Sequence, residues 1–424
     1  MKPAPAPAAR PRWSRLHPVT RQLIATRFLR SVAQGALSVD FTLYLRARQW
    51  SAGQVGLLLM AAGLTAGALG LGVGIASDRH GRKRFLLVYE AGLALATLAV
   101  LLFPHAWVLI LTATLFGFGR GANGSSGPFN PAEQAWLAQN IPAPERGPVF
   151  SLNAMLQFWG MGIGGLLAAV LPHLLPGVRG PAAYRPVFAL TLLVALINLV
   201  QIAWIPETPP PPPEKLPDPR AEAEDRRVRR QENRALVLLV GVNMVNGLGV
   251  GLIAPLLPYW FNLRFGAGPA SIGPVYGLAF FVTGFSSLLV GRLSQLVGLT
   301  KAIVWPRLIG VALLLAIPFA PAFSWAAALY ILRSVVNRGS LGARQAFSVG
   351  LVRDRRRGFA SSLNALSWSL PAALGPALGG WLLDLGSLTV PFLLAAGLQL
   401  AYVGLFSRVM GPYAPEAGNG AVDG

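Results

Sequence analysis

Residues 206–232, from Pro206 to Glu232, read PETPPPPPEKLPDPRAEAEDRRVRRQE. The proline run forces extended backbone, and the charges after it cannot enter lipid, so the segment reads as a polar strap rather than a packed element. Its position decides the fold, because apolar runs lie on both sides of it and it divides them evenly.

The chain has 424 residues, 54% of them apolar and 12% charged, about half the charged share of an average soluble protein. Apolar windows begin near Leu23, Val55, Phe85, Trp107, Val149, Val187, Ala235, Ile272, Ile303, Trp325, Phe359 and Val390. Most run for about 20 residues or more, the length a bilayer core requires. The expectation is an all-α membrane protein with twelve transmembrane helices in two six-helix bundles. The expected boundaries are a tail at 1–21, a first bundle at 22–205, the linker at 206–234, a second bundle at 235–410 and a tail at 411–424.

The formal charge of +20 raises the question of nucleic acid, and placement answers it. Basic residues crowd Lys2 to Arg21, Gly81 to Arg84, Lys215 to Arg234 and Arg353 to Arg357, all on one side of a twelve-pass zigzag. The other side carries only Arg46, Arg48, Arg179, Arg185 and Arg264. That asymmetry predicts an inner-membrane protein with both termini cytoplasmic, and it makes the charge a record of topology rather than of nucleic-acid binding. The absence of cysteine removes disulfides, thiolate metal sites and cysteine nucleophiles. No cofactor or metal is expected, and a monomer is. The basic, proline-rich start leads into a helix of full spanning length, unlike a cleavable signal, so the first helix is expected to stay.

The halves repeat each other. AEQA at Ala132 to Ala135, Arg146 with Gly147, and SLNA at Ser151 to Ala154 recur as ARQA at Ala343 to Ala346, Arg357 with Gly358, and SLNA at Ser362 to Ala365, all at an interval of about 211 positions. Farther upstream, GQVG at Gly53 to Gly56 faces ASIG at Ala270 to Gly273 at an interval nearer 217. Duplicated bundles of this kind are one way in which secondary transporters build a central site.

Between the second and third spans stands GIASDRHGRKR, from Gly74 to Arg84. Its spacing, G-x-x-x-D-R-x-G-R-K, resembles the signature loop of the major facilitator superfamily, and the twelve spans, the repeat and the strap extend the likeness over nearly the whole chain. The corresponding stretch of the second half, GRLSQLVGLTK from Gly291 to Lys301, is a decayed copy. The resemblance implies that Gly74, Asp78, Arg79, Gly81, Arg82 and Lys83 form a cytoplasmic latch between the halves. It also implies that spans one, four, seven and ten line the cavity. RGANG, from Arg120 to Gly124, fits the R-x-x-x-G of span four. The G-P-x-x-G-G of drug antiporters has no proline here in span five, which reads GMGIGG from Gly160, whereas GPALGG from Gly375 occurs in span eleven.

A charge on a spanning helix costs about 3 kcal/mol unless it faces protein or water, so each is a functional candidate. Of the 16 acidic residues, Asp40 and Glu90 alone read as lying well inside spans. By helical rise, Arg30, Glu90 and Arg120 share a depth about 10 Å from the cytoplasmic face, so Glu90 is either a proton carrier or a static partner of Arg30 or Arg120. Asp40 lies about 9 Å from the outer face, as a proton or cation site or as a structural hydrogen-bonding group. GANGSSGP, after Arg120, is expected to break span four beside the solute route. With Asn123 it faces Asn243, Asn246, Pro255, Pro258 and Tyr259 in span seven and Arg333, Asn337 and Arg338 in span ten. The expected function is secondary active transport of a small organic solute by alternating access, as proton-coupled efflux of amphiphilic compounds. Uptake of a sugar or organic anion is the alternative.

Overall fold

A computed structural model describes residues 16–119, 127–142, 145–207, 221–297, 299–339, 344, 347, 351–352, 357–410 and 413, with side chains described at all but 75, 78, 221–228, 286–297, 299–302, 338–339, 357–359 and 361–362. The first half comprises α1 (Pro18–Ala47), α2 (Ala52–His80), α3 (Arg82–Leu102), α4 (Ala106–Phe116), α5 (Asn130–Gln139), α6 (Arg146–Val170) and α7 (Arg185–Trp204). The second comprises α8 (Ala221–Gly251), α9 (Leu257–Phe265), α10 (Pro269–Val297), α11 (Leu299–Ala316), α12 (Phe323–Gly339), α13 (Arg357–Asp384) and α14 (Val390–Leu405). With α4–α5 and α8–α9 each taken as one interrupted pass, these make twelve passes, six in each half. An even number returns both chain ends to one side, called here the termini side; the opposite one is the far side.

Six segments are long and apolar enough to cross a membrane by composition alone, among them Ala52–Gly74, Arg82–Leu102 and Arg229–Phe265. The first helix is not among them, because it carries Arg27, Arg30 and Asp40, and all three are buried against protein. The eighth helix starts at Ala221, inside the stretch expected to be a strap. Once the prolines end at Pro219, AEAEDRRVRRQENRA contains mostly strong helix formers, and nothing stops the helix from extending out of the bilayer.

Both interrupted passes have local causes. At the end of α4, Gly117 takes the left-handed conformation (φ 73°) and its N–H bonds to the Ala113 carbonyl at 2.8 Å, a glycine C-cap. Gly119 follows with φ 76°, and a Cβ there would run into the Phe41 ring. The chain resumes in a short 3₁₀ turn, Gly127–Phe129, before α5. The break expected in span four is therefore present on both flanks, while Arg120 and Asn123 lie outside the described residues. In the seventh pass α8 stops at Gly251, and a 3₁₀ turn at Ala254–Leu256 holding Pro255 leads to α9. Proline suits these starts because it has no N–H to leave unpaired.

The halves meet along α2 with α13 and α6 with α10. Glycines permit the approach. In the GMGIGG stretch, a side chain on Gly164 would collide with the Val32 carbonyl of α1, and one on Gly165 with the Gly277 backbone of α10. In GPALGG, Gly379 packs likewise on the Leu252 carbonyl and Gly380 on the Ala52 carbonyl of α2. Each motif thus serves two contacts, one within its bundle and one between bundles, which is small-residue packing of membrane helices.

On the far side the halves are also joined by polar contacts. Asp384 at the end of α13 accepts from Ser51 Oγ (2.7 Å), Ala52 N (2.8 Å) and Gly53 N (2.9 Å) at the start of α2. The Tyr259 hydroxyl donates to the Trp50 carbonyl at 3.1 Å, and the Arg46 guanidinium lies 5.0 Å from the Tyr259 ring centre.

Candidate functional site

Arg27 and Arg30 sit one turn apart on α1, which turns both toward α3 and α5. Arg30 donates to Glu90 through Nε (3.0 Å) and Nη2, and to Glu133 Oε1 through Nη1 (2.9 Å). Arg27 is 3.5 Å from Glu133 and donates to Asn130 Oδ1 at 3.2 Å. Asn198 on α7 donates both to the Thr26 carbonyl (3.1 Å) and to Glu90 (3.4 Å), and the Arg30 guanidinium lies 5.6 Å from the Tyr89 ring centre. Arg30, Glu90 and Glu133 are each at most 2% exposed. Two guanidinium groups face two carboxylates, so the cluster is neutral as a whole, which is the condition under which buried charges persist.

Glu90 is therefore an ion-pair partner of Arg30, one of the two partners that a shared depth allowed. Among the described residues two further acids are buried, Glu232 and, missing from the sequence-based count of acids inside spans, Glu133. It lies in α5, beyond the break in span four, where NPAEQA reads as loop rather than as the continuation of a membrane pass. Its repeat partner Arg344, in an otherwise matching segment, was the available signal. All seven side chains belong to the first half, so this cluster lies inside that bundle rather than between the two halves. Beside it is a narrow crevice lined by Arg30, Gln34, Tyr89, Phe116, Phe118 and Thr191.

Asp40 is the opposite case. It is 1% exposed, and neither carboxylate oxygen has a hydrogen-bond partner. Its neighbours on α1 join aromatic pairs: Phe41 meets Phe118 edge-on, and Tyr44, one turn on, packs on Tyr184 and Phe188. The alternative role of a structural hydrogen-bonding group has no bond to support it here.

In the second half, Asn243 donates to Asn364 Oδ1 (2.8 Å) and Ser367 Oγ (3.1 Å) of α13. Asn246, one turn on, is fully buried with both amide atoms unpartnered. Tyr259 belongs to the far-side junction rather than to the bundle interior. Arg333 and Asn337 are buried on α12, with Asn337 against Gly310 of α11. The Arg338 side chain lies outside the described residues.

The described contacts of the loop between α2 and α3 are with helices of the first half. Gly81 has φ 92° and links the two helices directly. Arg82 donates to the Ala135 carbonyl (2.9 Å) and Gln139 Oε1 (2.8 Å) at the end of α5, and Lys83 to the Ala203 carbonyl at the end of α7 (2.8 Å). Gly74 packs near Pro131, and Arg79 is exposed. These described partners all lie in the first half. The physical reason is that α5 and α7 end there, and the negative ends of their dipoles attract cations. The Asp78 side chain lies outside the described residues.

Comparison with known proteins supplies the family. The chain is 25% identical over 353 residues to the multidrug resistance protein MdtG of Enterobacter lignolyticus, covering 80% of this chain and 79% of the relative. It is 22% identical over 311 residues to an uncharacterized membrane protein of Saccharomyces cerevisiae, YJR124C, covering 66% and 68%. Among solved structures, a D-xylose–proton symporter superposes with a TM-score of 0.73 at 14% identity over 95% of this chain and 99% of that one, a likeness of fold. The family model described as Major Facilitator Superfamily matches twice, over residues 23–242 and 239–421. Two matches in tandem reproduce the internal repeat, and the chain belongs to the major facilitator superfamily of membrane transporters.

Proposed function

We propose that the chain exports amphiphilic compounds across the inner membrane in exchange for protons, with the termini side facing the cytoplasm and the two halves rocking about a shared route. The observation that carries the coupling is Asp40. A lone carboxylate with no partner in a dry, aromatic setting is far cheaper to hold with its proton than without it. Ionisation then requires the pocket to open to water, which ties proton release to a change of shape. Glu90 and Glu133 are poorer carriers, because protonating either would strand an arginine. Efflux is supported by the multidrug relative and by the scarcity of fixed polar groups, which suits loose recognition.

The test is dye efflux from proteoliposomes under an imposed pH gradient. Wild-type protein moves a cationic dye in response to the gradient, and Asp40→Asn binds the dye but loses the response. Unchanged gradient-driven flux in Asp40→Asn ends the coupling mechanism. Uptake of an organic anion is the second reading, favoured by buried Arg333 in span ten. In that case Arg333→Gln abolishes anion flux and spares the dye.

A further inference from the structure

The repeat sets the two carboxylates of the first cluster opposite two arginines. The interval of about 211 that aligns AEQA with ARQA carries Glu133 onto Arg344, and the interval near 217 of the early spans carries Glu90 onto Arg307. The second bundle thus has bases at both positions where the first has acids.

The surroundings do not neutralise them. Arg307 on α11 is 3% exposed, with its guanidinium 5.7 Å from the Tyr402 ring centre on α14. The groups that act on its charge are Arg344 and Arg333, both cationic, and Tyr402. Among the described residues, the carboxylates of the helices in this half with described side chains are Glu232 and Asp384, and neither is among the groups acting on Arg307. Asp384 is taken up by the far-side junction. Nε of Arg307, Nε of Arg344 and the Tyr402 hydroxyl are buried without hydrogen-bond partners. So are both amide atoms of Gln399, one turn from Tyr402. Buried like charges together with idle donors are the groups that an anion would satisfy.

We propose that Arg307, Arg344 and Tyr402 form a buried oxyanion site in the second bundle that takes one carboxylate, phosphate or sulfonate group, with Arg333 adding charge from α12. Guanidinium forks match the two oxygens of such a group, and the tyrosine hydroxyl can donate to a third. The group arrives either on a soluble molecule or as a lipid headgroup. The site depends on neither the direction of transport nor proton coupling.

The experiment reads binding, not flux, so a failed efflux assay leaves it intact. Thermal unfolding of the purified protein in a sugar-headed detergent is followed while sodium phosphate or sodium benzoate replaces sodium chloride at equal ionic strength. Wild-type Tm rises by about 2–4 °C at saturation. Arg307→Glu, which recreates the charge of Glu90 beside Arg344, abolishes the rise while its own Tm in chloride is no lower than wild type. Arg344→Gln, as a second variant, also loses the rise. Nanodiscs of phosphatidylcholine with and without phosphatidylglycerol separate the sources. A rise with phosphatidylglycerol that blocks the phosphate response assigns the site to a headgroup, and a response to phosphate or benzoate alone assigns it to a soluble anion. The proposal is overturned if none of the three anions raises the wild-type Tm, or if both variants respond as wild type does.

Discussion

In the first bundle, Arg27 and Arg30 face Glu90 and Glu133, while at the equivalent places in the second bundle Arg307 and Arg344 face a tyrosine and another arginine. The scaffolds are duplicates, yet the charge arithmetic differs. A closed set of two acids and two bases needs nothing from outside, so it works as an internal brace fixing α1, α3 and α5 to one another. An unbalanced set of bases does no bracing until something negative arrives. On the proposal above, reversal of two charges within a repeated scaffold separates a structural cluster from an anion site.

The strongest way to break this comparison is to unbalance the brace. Arg30→Gln leaves Glu90 and Glu133 with Arg27 alone, and we expect a loss of about 3–5 kcal/mol, read as a large fall in the Tm of the purified protein. Glu133→Gln removes the carboxylate shared by both arginines but leaves the Arg30–Glu90 pair, so its cost is smaller, about 2 kcal/mol. A double-mutant cycle with Arg30→Gln then yields a coupling energy well above zero. In the second bundle the sign reverses. Arg307→Met removes a charge from a set of like charges, and without an anion its stability is unchanged or raised by about 1 kcal/mol. The smallest stability effect belongs to Asp40→Asn, below about 1 kcal/mol, because no partner is lost. A Tm near wild type together with lost gradient-driven flux would set Asp40 apart from both clusters as a working group rather than a brace.

Much of this was legible in the sequence. Hydrophobic runs, the strap and the repeated AEQA, SLNA and arginine–glycine pairs fix twelve passes in two bundles, because burial in lipid leaves few alternatives. The depth match of Arg30 with Glu90 held, since both lie on uninterrupted helices where rise per residue measures height. Glu133 lay beyond its reach, because depth cannot be counted through a break. Arg307 escaped notice for a different reason: it sits alone in an apolar stretch, and its meaning appears only when the repeat is extended from matching residues to mismatched ones. The assignment of α2–α3 loop residues to a latch between halves came from family likeness. The described contacts of Arg82 and Lys83 are with helix ends in their own bundle, which spacing along one loop could not reveal.

The carboxylate of Asp384 completes the first turn of a helix that belongs to the other half of the protein. In the rocking cycle proposed above, parting of the halves on the far side would leave that turn with its own Ser51–Gln54 capping box alone. Because the position is exposed, solvent takes over the orphaned donors at little cost. On that proposal the junction would serve as an alignment peg, reseating the two bundles in one register on each return while doing little to resist their separation.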